Sequence, residues 1–264
     1  HGSYVRADEL ALYAAAYRRP MARLDVRQEA VIRALTYSGP LSPRQLREET
    51  GLAHRPLMAA VHRLERAFVV CEDQTDSAWD RPLHLVEREF PDLWQQAPDP
   101  EAAAAEVLAR LLHTQVFATT AQLAAGSGLG KRVVGSTITT MERSARVEAV
   151  TMDGLEGWQQ SGDRPTAGDV GLVRVLHLRD PLVRPRLDEL ALQYDGREVL
   201  QYLLIGDEIH GAACGHWRIK AHDVEDVIID DAHVADWREE TLEAVRRRYP
   251  APKQHVLACN GEPL

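Results

Sequence analysis

The chain has 264 residues, 45% hydrophobic and 27% charged, which fits two or three ordinary globular domains and excludes a disordered or low-complexity protein. Forty acidic residues against 31 basic ones leave a formal charge of −9, so the molecule as a whole repels nucleic acid, and any phosphate contact has to come from a local basic face. Cys71, Cys214 and Cys259 are odd in number and far apart, which gives no disulfide framework and predicts a reducing, cytoplasmic setting; no run approaches the roughly 18 apolar residues of a membrane span, and no signal-peptide pattern is present.

Residues 1–24 read as an N-terminal helical segment. A helix is then predicted from about Asp25 to Tyr37, with Val31 and Leu35 on its apolar stripe and Ser38-Gly39-Pro40 as its stop. Ser42-Pro43-Arg44-Gln45 combines a capping serine, proline at the first helical position and glutamine three residues after the cap. That is a capping box opening a short helix to about Thr50, which Gly51 closes. A third helix from about Arg55 to Arg66 places Leu57, Val61 and Leu64 at helical spacing, and Phe68–Cys71 and Pro82–Val86 read as two strands. Helix, short helix, glycine turn, longer helix and hairpin is the order of a winged helix-turn-helix.

The same pattern recurs 77 positions later. Gly51-Leu52 falls on Gly128-Leu129, Leu46 on Leu123, Leu57 on Val134, Val61 on Ile138, Leu64-Glu65-Arg66 on Met141-Glu142-Arg143 and Val70 on Val147. The second copy predicts helices over 102–113, 120–125 and 131–143 and a wing from Val147, with Thr119-Thr120 standing where Ser42-Pro43 stands in the first. The polar, proline-containing stretch Asp92 to Pro100 reads as a linker. From about Asp169 the pattern changes to strands at 170–178, 199–205, 209–214 and 227–229, with a Gly206-Asp207 hairpin turn, a helix at 234–248 and a last strand at 256–259. The predicted class is α+β: an N-terminal segment (1–24), winged helices at 25–92 and 93–168, and a smaller β-rich domain at 169–264.

A helix-turn-helix offers the exposed face of its third helix to the major groove. The candidate readers are therefore His54, Arg55, His62 and Arg63 in the first copy, and Lys131, Arg132, Ser136 and Thr137 in the second, with double-stranded DNA as the expected partner. The same residues also suit the solvated face of an ordinary amphipathic helix, and winged helices serve as protein-interaction scaffolds too. His210, Cys214, His216 and His222 share parity, but Gly211 and Gly215 break the segment and the spacing matches no common zinc motif, so no metal or other cofactor is expected. Gly126-Ser127-Gly128-Leu129-Gly130 follows no strand and reads as a helix-turn-helix corner, not a phosphate loop. Asp180 and Asp230-Asp231 offer carboxylates without an identifiable base or nucleophile beside them.

Several segments in their shared order resemble the winged-helix DNA glycosylase family typified by YcaQ and AlkZ, which removes alkylated bases, including interstrand crosslinks. They are His1-Gly2-Ser3 with Glu9-Leu10-Ala11-Leu12-Tyr13, Trp79-Asp80-Arg81-Pro82-Leu83-His84-Leu85, Phe90-Pro91-Asp92, Asp180-Pro181-Leu182-Val183 with Arg186, and Leu204 to Gly211. The resemblance implies a DNA-repair protein whose winged helices form a concave surface for duplex DNA, with His1 and Ser3, in a His-x-Ser segment, as candidate pocket-lining residues. The family's Gln-x-Gln or Gln-x-Asp catalytic element precedes that segment, and nothing here matches it; Gln95-Gln96 and Gln159-Gln160 lie in linker-like sequence. The expectation is thus a portion of such an enzyme, or a non-catalytic relative. The alternative is a winged-helix transcriptional regulator with a C-terminal ligand or dimerisation domain.

Overall fold

The computed structural model describes residues 5–73, 80–152, 154–163, 172–218, 222–230 and 234–264, so His1, Ser3 and Trp79 lie outside the described residues. The chain is a mixed α+β protein that divides into two compact units, His1–Val107 and Leu108–Leu264. Among the described residues no helix is long and apolar enough to cross a membrane.

In the first unit, α1 (Leu10–Tyr17) is followed by α2 (Val26–Ser38), α3 (Pro43–Thr50) and α4 (His54–Arg66), and then by the antiparallel strands β1 (Val70–Glu72) and β2 (Leu83–Leu85). Asp25 caps α2 through a capping box with Gln28, and Ser42 caps α3 through one with Gln45, as its sequence signature predicts. Gly51 ends α3 at φ +67°, where a side chain would be strained. The turn it makes aims α4 back across α2, so that Val31, Leu35, Leu46, Leu57, Val61 and Leu64 close one dry core with Val70, Leu83 and Leu85. Two short helices, α5 (Val86–Glu89) and α6 (Leu93–Gln96), follow; α6 forms inside the stretch expected to be linker, and its Leu93 is buried with Ala14 of α1 and Val86.

Helix α7 (Pro100–Gln115) leads into α8 (Thr120–Ser127), α9 (Lys131–Arg143) and the hairpin β3 (Val147–Met152) with β4 (Leu155–Gln160). Helices α8 and α9 repeat α3 and α4 position by position at the shift of 77. Thr119 caps α8 in a capping box with Gln122, as Ser42 does with Gln45. Gly128 is left-handed like Gly51, and Ala145 and Phe68, each just past its third helix, share φ +54°. The bridge Ala118–Trp158 answers Leu41–Leu83. Gln159 and Gln160 do not lie in a linker: they are strand residues of β4 paired with Glu148 and Val147, because the second hairpin has strands twice the length of the first.

The rest of the second unit is a six-stranded sheet in the order β10-β9-β8-β7-β6-β5, from β5 (Val173–Leu176), β6 (Val199–Ile205), β7 (Glu208–Cys214), β8 (Asp226–Ile229), β9 (Ala258–Cys259) and β10 (Glu262–Pro263). Neighbours are antiparallel except β8 with β9. Helix α11 (Val234–Arg248) buries Leu242 and Val245 against one face, and α10 (Leu187–Gln193), which the sequence pattern did not reveal, buries Leu190 against the other. Burial on both faces is why β6 and β7 read as nearly continuous apolar runs.

The 180–186 segment of this unit packs on the corner of α8. A Cβ at Gly126 would lie 2.9 Å from a methyl of Leu111 and 3.0 Å from the ring of Pro185, and one at Gly128 2.7 Å from the Arg184 guanidinium, whereas Gly51 and Gly135 have nothing within 4 Å. Gly126→Ala therefore destabilises by about 1–3 kcal/mol through overpacking, although alanine is the better helix former. Gly135→Ala, in open space on α9, stabilises by about 0.5–1 kcal/mol. Urea unfolding of the two variants should show these opposite signs. Gly51→Ala and Gly128→Ala both lose about 1–2 kcal/mol in the same assay, because each forces a side chain into the left-handed region.

Candidate nucleic-acid interface

The buried stripe of α4, Leu57, Ala60, Val61 and Leu64, leaves the opposite face outward, and His54, Arg55, His62 and Arg63 all lie exposed on it. His62 Nδ1 is 2.9 Å from Glu65 Oε2, so one ring nitrogen has a carboxylate partner and the other faces outward. Arg63 reaches Asp25 Oδ2 at 3.4 Å, which ties the last turn of α4 to the cap of α2.

On α9 the stripe is Val134, Thr137, Ile138 and Met141. Lys131, Arg132 and Ser136 are exposed, and the Ser136 hydroxyl donates to the Val133 carbonyl at 3.0 Å. Thr137 is a correction: it is only 6% exposed and cannot reach a groove. It stands one turn after Val134 on the buried edge, at the register of Ala60 in the first copy, which is buried too. The positions matching His62 and Arg63 are Thr139 and Thr140, both exposed, with hydroxyls donating to the carbonyls of Gly135 at 2.9 Å and Ser136 at 3.2 Å. The repeat shift was the signal that could have found them.

The two third helices also share an N-terminus unlike those of α2, α3 and α8. Ala53 and Gly130 occupy the N-cap positions and make no side-chain cap hydrogen bond, so no side chain caps the first-turn amides of His54 and Arg55 in α4, where Pro56 has none, or those beside Lys131 and Arg132 in α9. Uncapped amides, the positive end of the helix dipole and adjacent cations suit an anionic backbone. The copies differ at the turn: Gly51 is open, while Gly128 lies under Arg184.

Several described groups that could carry other chemistry are engaged elsewhere. Burial pushes the Cys71 and Cys214 thiols up to about 11, far from a reactive thiolate at neutral pH. His210 faces Asp230 at 3.6 Å, His216 bonds Glu198 at 3.0 Å, His222 sets its edge against Tyr249, and Cys214 is buried, so the four parity-matched residues go to separate partners. Among the described residues no group of three metal-ligating side chains comes together.

No family model matches the chain, and no curated protein matches it. Among solved structures, the DNA glycosylase AlkZ of Streptomyces sahachiroi superposes over 94% of this chain and 76% of its own, with a TM-score of 0.63 and 16% identity. The DIP2311 protein from Corynebacterium diphtheriae overlaps 52% of this chain and 26% of its own at 16% identity, with a TM-score of 0.17 that is too low to bear on the fold. The chain therefore has an AlkZ-like fold.

Proposed function

We propose that the chain is a double-stranded-DNA-binding protein of the DNA-repair glycosylase type, acting on alkylated or crosslinked bases or forming the DNA-binding portion of a protein that does. In this reading residues 25–92 and 93–168 are winged helices, and 169–264 is the β-rich domain that follows them in the chain. The observation that carries it is the repeat: two third helices, 77 residues apart, each bury one face and present an uncapped, cationic first turn to solvent. His54, Arg55, His62, Arg63, Lys131, Arg132 and Ser136 are assigned to DNA, and Thr139 and Thr140 join them by register. Likeness to AlkZ supports the repair reading. A base-excising protein draws the modified base out of the stack into a pocket that holds the hydrolytic groups, and the reading gives no described residue that catalytic role.

Fluorescence anisotropy with labelled duplexes tests it. Arg55→Ala and the double variant Lys131→Ala/Arg132→Ala each weaken duplex binding, and the salt slope falls by about 0.9 for every phosphate that a variant no longer neutralises. An unchanged affinity in both variants, or no binding by the parent protein at low salt, sinks the proposal. Thr137→Val, by contrast, leaves affinity unchanged, because the side chain is interior; a tenfold loss would return Thr137 to the interface. Release of free base from an alkylated duplex is the readout for repair, and preference for a palindromic site without base release would favour a regulator.

A further inference from the structure

An open cleft of about 480 Å³ lies in the first unit, between the chain reversal at residues 19–25 and the C-terminal end of α4. Arg19, Arg23, Arg63 and Arg66 line it, with Asp25 as the one acidic group. Arg63 and Arg66 share a face of α4 because they are three residues apart. The reversal is held against them from several sides. The Arg19 amide donates to the Arg66 carbonyl at 2.8 Å. The Arg18 guanidinium lies 4.2 Å from the centre of the Trp94 ring. The buried Gln28 reaches the sulfur of Met21 at 3.5 Å while closing the cap of α2.

The carboxylate cannot neutralise the cluster. Asp25 Oδ1 accepts from the Arg27 and Gln28 amides, and Oδ2 takes Arg63. Arg19, Arg23 and Arg66 make no side-chain ion pair among the described residues. Residues 18–66 hold ten arginines and five acidic residues in a chain whose net charge is −9, so acidic side chains are in surplus elsewhere while these guanidiniums stand together. Like charges gathered on a preformed surface repel one another until an anion sits between them, and guanidinium forks match phosphate oxygens two at a time.

We infer that this cleft is a clamp for backbone phosphates of duplex DNA; the inference rests on the DNA-binding reading and deepens it. Arg55 and Arg63 are eight residues apart on α4, about 12 Å along the axis, close to the width of the major groove. With the first turn of α4 at one rim of the groove, the cleft meets the phosphates of the other rim. Arg63 then grips the backbone instead of reading a base edge, and its bond to Asp25 holds the guanidinium in place for that contact.

Salt titrations of duplex binding decide this, with the parent protein, Arg19→Ala/Arg23→Ala, and a control of equal charge loss on α11, Arg246→Ala/Arg247→Ala. The cleft variant loses affinity by about tenfold near physiological salt, equally on two unrelated duplexes, and its slope of log K against log salt falls by about 1.8, two phosphates' worth. The control leaves the slope unchanged. Circular dichroism melts of the cleft variant match the parent, because both replaced side chains are exposed. A parent that binds duplex while the cleft variant keeps the parental slope overturns the clamp and leaves the DNA-binding reading standing. A parent that binds no duplex overturns both. Micromolar binding of inorganic pyrophosphate that the cleft variant loses, with duplex affinity untouched, also overturns the clamp and marks the cleft as a small-anion site.

Discussion

A single left-handed residue between the second and third helix is the constraint on which each repeat depends. Gly51 and Gly128 let the backbone reverse within one residue, and each third helix then runs back across the core with its apolar stripe inward. Once the stripe of α4 is buried, no freedom is left over which side chains face out. The division between core and surface follows from the angle of one glycine turn, and the cationic first turns of α4 and α9 are exposed for the same reason that Leu57 and Val134 are not.

Charge is organised on a different scale from packing. The protein carries more acid than base, yet its arginines are concentrated between residues 18 and 66. Ten arginines against five acidic residues in that stretch leave it locally positive in a chain that is acidic elsewhere. The two copies use the shared scaffold unequally. The first has an open turn and an arginine cleft; the second follows Lys131 and Arg132 with hydroxyls, and its turn is covered by Arg184 and Pro185.

Much of this was legible in the chain because the repeat carries its own punctuation. Two capping boxes, two turn glycines and two apolar stripes recur at one shift, and local signals of that kind survive without knowledge of the fold. What escaped was set by distant pairing. Thr137 looks polar and surface-bound until the register with buried Ala60 is seen. Gln159 and Gln160 become strand residues only because Glu148 and Val147 lie opposite them. Helix α10 is short, and its Leu190 gains meaning from the sheet face beneath it. The cleft could not be read at all, since Arg19 and Arg23 lie about 40 residues from Arg63 and Arg66 and meet them through a backbone bond that no local pattern announces.

The chemistry of the cleft has one more implication. No lysine precedes Lys131, so every permanently charged cation before it is an arginine. A guanidinium keeps its proton at any pH at which the fold survives, and it offers no primary amine to acylating reagents or acetyltransferases. An anion held by the arginine cleft, as proposed, is therefore gripped independently both of acidity and of the modification that most often silences a basic surface, whereas Lys131, the one lysine on its helix, is open to it.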